Sequence, residues 1–160
     1  MFMRFTFRLL VLVLAFSGLG LGTGLAAGKI WVGLYWAENG PPHPGAVLAP
    51  EQLHQRLHEV FGFKHYELVK SQEVVLRNEW QQWFIPRRDF FIRVEPLRRQ
   101  PGQPRFIYYE IYQNGFILAH GQYQPQDGTP LFINGPDLNQ GRLIFVLEPR
   151  PPKDQSEEDD

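Results

Sequence analysis

The stretch FIYYEIYQNGFILAHGQY, residues 106–123, decides how this chain is read. Asn114-Gly115 stands between two runs of aromatic and β-branched side chains. A two-residue type I′ turn needs positive φ at both centres, which Asn and Gly tolerate best. The segment is therefore expected as an antiparallel hairpin of 106–113 and 116–123. Counting outward from the turn places Tyr112 opposite Ile117, Ile111 opposite Leu118 and Tyr109 opposite His120. Alternation along the first arm gives Tyr108, Glu110 and Tyr112 a common face.

The period of two extends upstream. Residues 80–85 and 90–97 read as strands split by Pro86, and 65–68 and 73–77 as a strand or bent pair. Further back, Ile30, Val32, Leu34 and Trp36 alternate with Trp31, Gly33, Tyr35 and Ala37. Both faces of 29–38 are thus apolar, the mark of a central, well-covered strand. A Gly/Pro turn over 39–44 ends it. Downstream, 134–141 reads as a loop and 143–148 as the last strand. One helix interrupts this pattern, with Pro50 in its first turn, Glu51 at its positive end and Gly62 closing it. Leu53, Leu57, Val60 and Phe61 fall in one narrow arc of that helix. The order predicts an α+β fold, one helix packed on a mostly antiparallel, curved sheet of five to seven strands. Gln81, Gln82, Gln113, Gln122 and Gln124 suit an open sheet face rather than one covered by a second sheet.

The ends carry an address. Arg4 and Arg8 precede an apolar run over 9–16, and small residues close at Ala26-Ala27-Gly28, the order of a secretory signal peptide over 1–28. Gly18, Gly20, Gly22 and Gly24 dilute the apolar character and favour cleavage over an uncleaved membrane anchor, the alternative that would tie the chain to a membrane. A single domain over 29–149 is then expected in the periplasm or outside the cell, followed by a disordered acidic tail over 150–160. The chain has no cysteine, so apolar burial alone must hold it, and 43% hydrophobic and 14% aromatic residues supply the material. The formal charge of −1 falls by two to −3 when Arg4 and Arg8 leave, so net charge implies neither a polyanion nor a membrane partner.

Most catalytic chemistry is disfavoured by subtraction. After leader removal the aliphatic hydroxyls are Ser71, Ser156 and Thr129, and none sits in a nucleophile elbow. No glycine-rich phosphate cradle is present, and no cofactor is expected. His54 and His58 have the i, i+4 spacing of metal ligands but lack the neighbouring glutamate of a zinc protease, so a solvated helix face is the reading. A carboxylate-dependent hydrolase acting on an envelope polymer is the enzymatic alternative, with Glu110 as the acid and Asp89, Glu95 or Glu148 as partner.

A binding role has more behind it. Trp80 and Trp83 run into Arg87 and Arg88, with Arg93, Arg98, Arg99 and Arg105 close behind. Aromatic rings stack on sugars and guanidinium groups hold anions, so Trp80, Trp83, Arg87, Arg88, Arg93, Arg98 and Arg99 are the expected contact residues. Export argues against nucleic acid. The expected partner is an envelope protein or an anionic or glycan ligand, met by a sheet face or edge.

Two resemblances bear on this reading. One helix across a curved antiparallel sheet resembles the cystatin arrangement, but Leu76 of the stretch QEVVL (72–76) stands where that family's inhibitory loop has glycine, and no Pro-Trp pair follows. The resemblance is one of topology and implies no inhibitory site. The stretch VFGF (60–63) followed by Tyr66-Glu-Leu68-Val69 resembles small secreted bacterial α+β proteins of unassigned function. That resemblance implies the fold and export and names no catalytic residue.

Overall fold

The computed structural model describes residues 28–76, 81–97, 106–125 and 129–150. Nine elements follow in chain order: β1 (Gly28–Glu38), α1 (Glu51–Phe61), β2 (His65–Leu76), β3 (Gln82–Phe84), β4 (Phe90–Pro96), β5 (Ile107–Gln113), β6 (Phe116–Tyr123), β7 (Leu131–Leu138) and β8 (Gly141–Arg150). They form two four-stranded antiparallel sheets, ordered β2-β1-β8-β7 and β3-β4-β5-β6.

Burial explains this arrangement. β1 is apolar on both faces, and in β8 the run Leu143 to Leu147 is buried without interruption. Such strands must be covered on both sides. They are the two central strands of the first sheet, and β1 pairs with β8 from Lys29↔Arg150 to Glu38↔Gly141. On one face Ile30, Val32, Leu34, Leu143, Phe145 and Leu147 meet Phe84, Phe90, Ile92, Val94, Ile107 and Ile111 of the second sheet. Phe90 stacks on Phe145 with centroids 4.9 Å apart, bridging the sheets at the middle of the core. On the opposite face Tyr35, Ala37, Tyr66, Ile144 and Val146 pack with Leu57 of the helix, beside Leu53 and Phe61.

The expected α+β fold, one helix on a single curved sheet of five to seven strands, is therefore corrected to a mostly β structure of two packed sheets with one short helix on an outer face. The topological likeness to cystatins falls with it. The reason is the amount of apolar surface that needs covering. An eleven-residue helix presents Leu53, Leu57 and Phe61, while β4 and β5 each turn a second set of buried side chains inward. One local expectation also changes. Residues 134–141 lie partly in β7, whose pairing with β8 is interrupted between Asn134 and Asp137, where Gly135 and Pro136 sit. Of the strand or bent pair expected over 65–68 and 73–77, the structure has one continuous strand, His65–Leu76.

Helix and hairpin follow the local chemistry. Gly62 ends α1 at φ 75° and donates its N–H to His58 O at 2.8 Å. Val60 of the expected apolar arc points to solvent. Asn114 and Gly115 both have positive φ, 50° and 82°, as a type I′ turn requires. Tyr112 pairs with Ile117 as expected, but Ile111 pairs with Ala119 and Tyr109 with Gly121. The register slips at a bulge that leaves Leu118 unpaired, so every residue beyond it is displaced by one. Of the signal peptide expected over 1–28 all but Gly28, where β1 begins, lies outside the described residues, as does the chain beyond Arg150; β8 includes Arg150, where the tail was expected to begin.

Candidate functional site

With the inner face of the second sheet committed to the core, its outer face presents three rows of side chains set by strand register. The middle row runs across all four strands as Trp83↔Arg93↔Glu110↔His120. On one side lies Phe91↔Tyr112↔Ile117, and on the other Glu95↔Tyr108↔Gln122. Paired residues share a face, so pairing alone assembles the patch.

Trp83, Phe91 and Tyr112 make one aromatic surface. Phe91 stacks on Tyr112 at 5.0 Å with planes 11° apart, and the Trp83 ring leans over both, at 5.9 Å and 5.6 Å. Trp83 remains 42% exposed. Beside it, Glu110 is one of two buried charged residues among the described residues. It accepts hydrogen bonds from Tyr112 Oη at 2.5 Å and Arg93 Nε at 3.0 Å on Oε2, and from Tyr108 Oη at 3.0 Å on Oε1. The hydrogen bond from Tyr112 leads in holding the Glu110 carboxyl below the usual glutamate range, with Tyr108 and Arg93 adding to it and burial opposing. The same bonds raise the phenols of Tyr108 and Tyr112. Arg93 also donates to Glu95 at 3.1 Å and lies 5.7 Å above the Tyr108 ring.

Of the expected contact residues, Trp83 and Arg93 meet on this face. Arg87 and Arg88 fall in the loop between β3 and β4, where Arg87 makes a bidentate pair with Asp89 at 3.0 Å and Arg88 is exposed. Trp80, Arg98 and Arg99 lie outside the described residues. Arg93 and Arg87 thus spend their forks on internal carboxylates. Arg93 with Glu95 and Glu110 sums to one negative charge, which does not attract an anion.

Glu110 shares its face with Tyr108 and Tyr112 as the alternation predicts, but its environment stabilises the ionised form, the reverse of what a proton-donating acid needs. Asp89 is likewise lowered by its bond to Arg87, and Glu148 belongs to β8 in the other sheet. The helix histidines are structural. His54 Nε2 lies 2.9 Å from Lys64 O, His58 Nδ1 lies 2.8 Å from Phe63 O, and the two rings stack 6.1 Å apart. Sequence reasoning missed a different group, Glu38, His43 and Glu67, whose signal was a histidine between prolines just after a strand that ends in glutamate.

No family model, no curated protein and no solved structure matches this chain. The resemblance to secreted bacterial proteins thus rests on its sequence pattern alone.

Proposed function

We propose that this protein is an exported, non-catalytic binding module whose outer sheet face takes a glycan of the cell envelope. The observation that carries this is the half-exposed Trp83 ring, continuous with Tyr112 and Phe91 and bordered by the hydrogen-bonded pair Arg93 and Glu110, with the exposed His120 next in the row. The C–H face of a sugar ring packs on an aromatic face, and its hydroxyls need donors and acceptors held at the rim. Both are present, and the network around Glu110 holds them before a ligand arrives, which lowers the ordering cost of binding. Because the guanidinium groups of Arg87 and Arg93 are already paired, a neutral glycan suits this face better than a polyanion.

The test is co-sedimentation of purified protein with insoluble envelope polysaccharides, wild type against Trp83→Ala, at low and high salt. Retention that survives salt and falls at least tenfold in the variant is the expected result, since stacking is insensitive to screening whereas phosphate-type contacts are not. Retention unaffected by Trp83→Ala, or no retention on any polysaccharide, overturns it.

A second reading has its own observation. The edge strand β6 exposes Phe116, Ile117 and Leu118 in succession, with Phe116 79% exposed, and Ile117 continues the Phe91–Tyr112 row. Such an edge accepts a strand from a partner protein. Capture of an envelope protein that is lost in Ile117→Lys and kept in Trp83→Ala would favour this reading over the glycan.

A further inference from the structure

The Glu38–His43–Glu67 group belongs to the first sheet and is independent of the aromatic rows. Trp36 pairs with Glu67 and Glu38 with His65, so the two carboxylates are diagonal neighbours on one face of β1 and β2. The loop after β1 returns over them with His43 set between Pro42 and Pro44. His43 donates its backbone N–H to Glu67 Oε1 at 2.7 Å. Its Nδ1 lies 2.8 Å from Glu67 Oε2 and 3.6 Å from Glu38 Oε1. The loop is fastened to the edge of β2 by Ala49 N–H to Tyr66 O at 2.8 Å and Leu68 N–H to Val47 O at 2.7 Å. The three ligand atoms all lie within 4.8 Å of one another.

Two observations set this group apart from a surface ion pair. Glu67 is buried, one of two charged residues so placed among the described residues. Glu38 Oε1 is closed off from solvent and receives no hydrogen bond, on a side chain only 12% exposed. A buried carboxylate oxygen without a donor is costly, and among the described residues His43 is the one cationic partner that Glu38 and Glu67 have. Two negative charges therefore face at most one positive charge.

We propose that Glu38, His43 and Glu67 form a binding site for a divalent cation of the zinc type. One imidazole nitrogen with two carboxylate oxygens suits zinc, whereas calcium and magnesium take oxygen donors. With metal–ligand distances of about 2.0–2.2 Å, neighbouring donors of a tetrahedron stand roughly 3.3–3.6 Å apart. The 3.6 Å between His43 Nδ1 and Glu38 Oε1 already meets this. The 2.8 Å between His43 Nδ1 and Glu67 Oε2 must open by roughly half an ångström, a small adjustment for an imidazole that is 66% exposed. The ion takes the bridging place of the Nδ1 proton, gives Glu38 Oε1 its missing partner and clips the loop to both strands. Three protein ligands leave a fourth position of a tetrahedral ion for water.

The experiment is calorimetric titration of zinc chloride into chelator-treated, purified protein, with His43→Ala, Glu67→Gln and the double variant His54→Ala/His58→Ala alongside. Expected are one zinc per chain at micromolar affinity or tighter, at least a tenfold loss in His43→Ala and Glu67→Gln, and wild-type affinity in the helix variant. His43 is exposed in a loop, so His43→Ala tests the site without risk to the core. No saturable binding by the wild type, His43→Ala within threefold of it, or loss confined to the helix variant each overturns the proposal.

Discussion

Replacing Glu110 with glutamine changes one oxygen and tests the network on which the outer face depends. Oε2 accepts from Tyr112 and Arg93, and Oε1 from Tyr108. A glutamine amide keeps one acceptor for Tyr112 and Arg93 and turns the other oxygen into an N–H donor, so the Tyr108 hydroxyl must turn from donor to acceptor. At best all three bonds persist without the charge. With about 1.7–2 kcal/mol for each bond to the charged group, the lower part of the usual range as suits a network on a sheet face, and about 1 for each neutral bond, the three exchanged bonds cost about 2–3 kcal/mol at pH 7. With a urea m-value of roughly 2 kcal/mol/M, the midpoint falls by about 1–1.5 M. The pH dependence supplies the sign. The folded carboxyl titrates below the ordinary glutamate range, so its stabilisation is complete above that range and is lost as pH falls through the folded pKa. Urea unfolding followed by tryptophan fluorescence should therefore show a constant gap near neutrality that narrows on acidification below about pH 4.5. A variant as stable as wild type at pH 7, or more so, would mean that Glu110 is held protonated, as a hydrolase acid would be, and would refute the reasoning.

Two further outcomes concern packing. A Cβ added at Gly141 would lie 2.3 Å from Trp36 Cζ2 and 2.6 Å from Ala37 O, a backbone atom that cannot yield easily, so Gly141→Ala should cost at least about 1–3 kcal/mol by calorimetry. Tyr66 is fully buried, donates to Leu57 O at 2.9 Å and accepts from Phe63 N at 3.2 Å. Tyr66→Phe should lower stability by about 1–2 kcal/mol in urea unfolding, because the Phe63 N–H loses its acceptor at the end of the helix.

Local chemistry was legible wherever a few neighbouring residues decide it. The Asn114-Gly115 turn, the Gly62 helix end and the two-faced burial of β1 follow from φ preferences and alternation. The register beyond the turn was not legible, because a bulge is one extra residue placed by packing and leaves no mark in composition. β7 was hidden because Gly135-Pro136 looks like a loop, and only its neighbour β8 shows it to be an interrupted edge strand. Trp83 and Arg93, near one another in sequence, are cross-strand partners on the outer sheet face. The pairing of Arg93 with Glu110 and Glu95, which removes it as an anion holder, joins residues far apart in the chain.

By itself the sequence determined most of the strand segments, β7 excepted, the two-faced burial of β1 and which reactive groups the chain lacks, since these depend on side-chain period and identity. Tertiary structure decided that the strands divide into two sheets, that first and last strands pair, and that Glu110 is held ionised. It also decided that Glu38, His43 and Glu67 converge. These depend on contacts between segments distant in sequence, where alternation fixes the face of a strand but leaves its neighbour free.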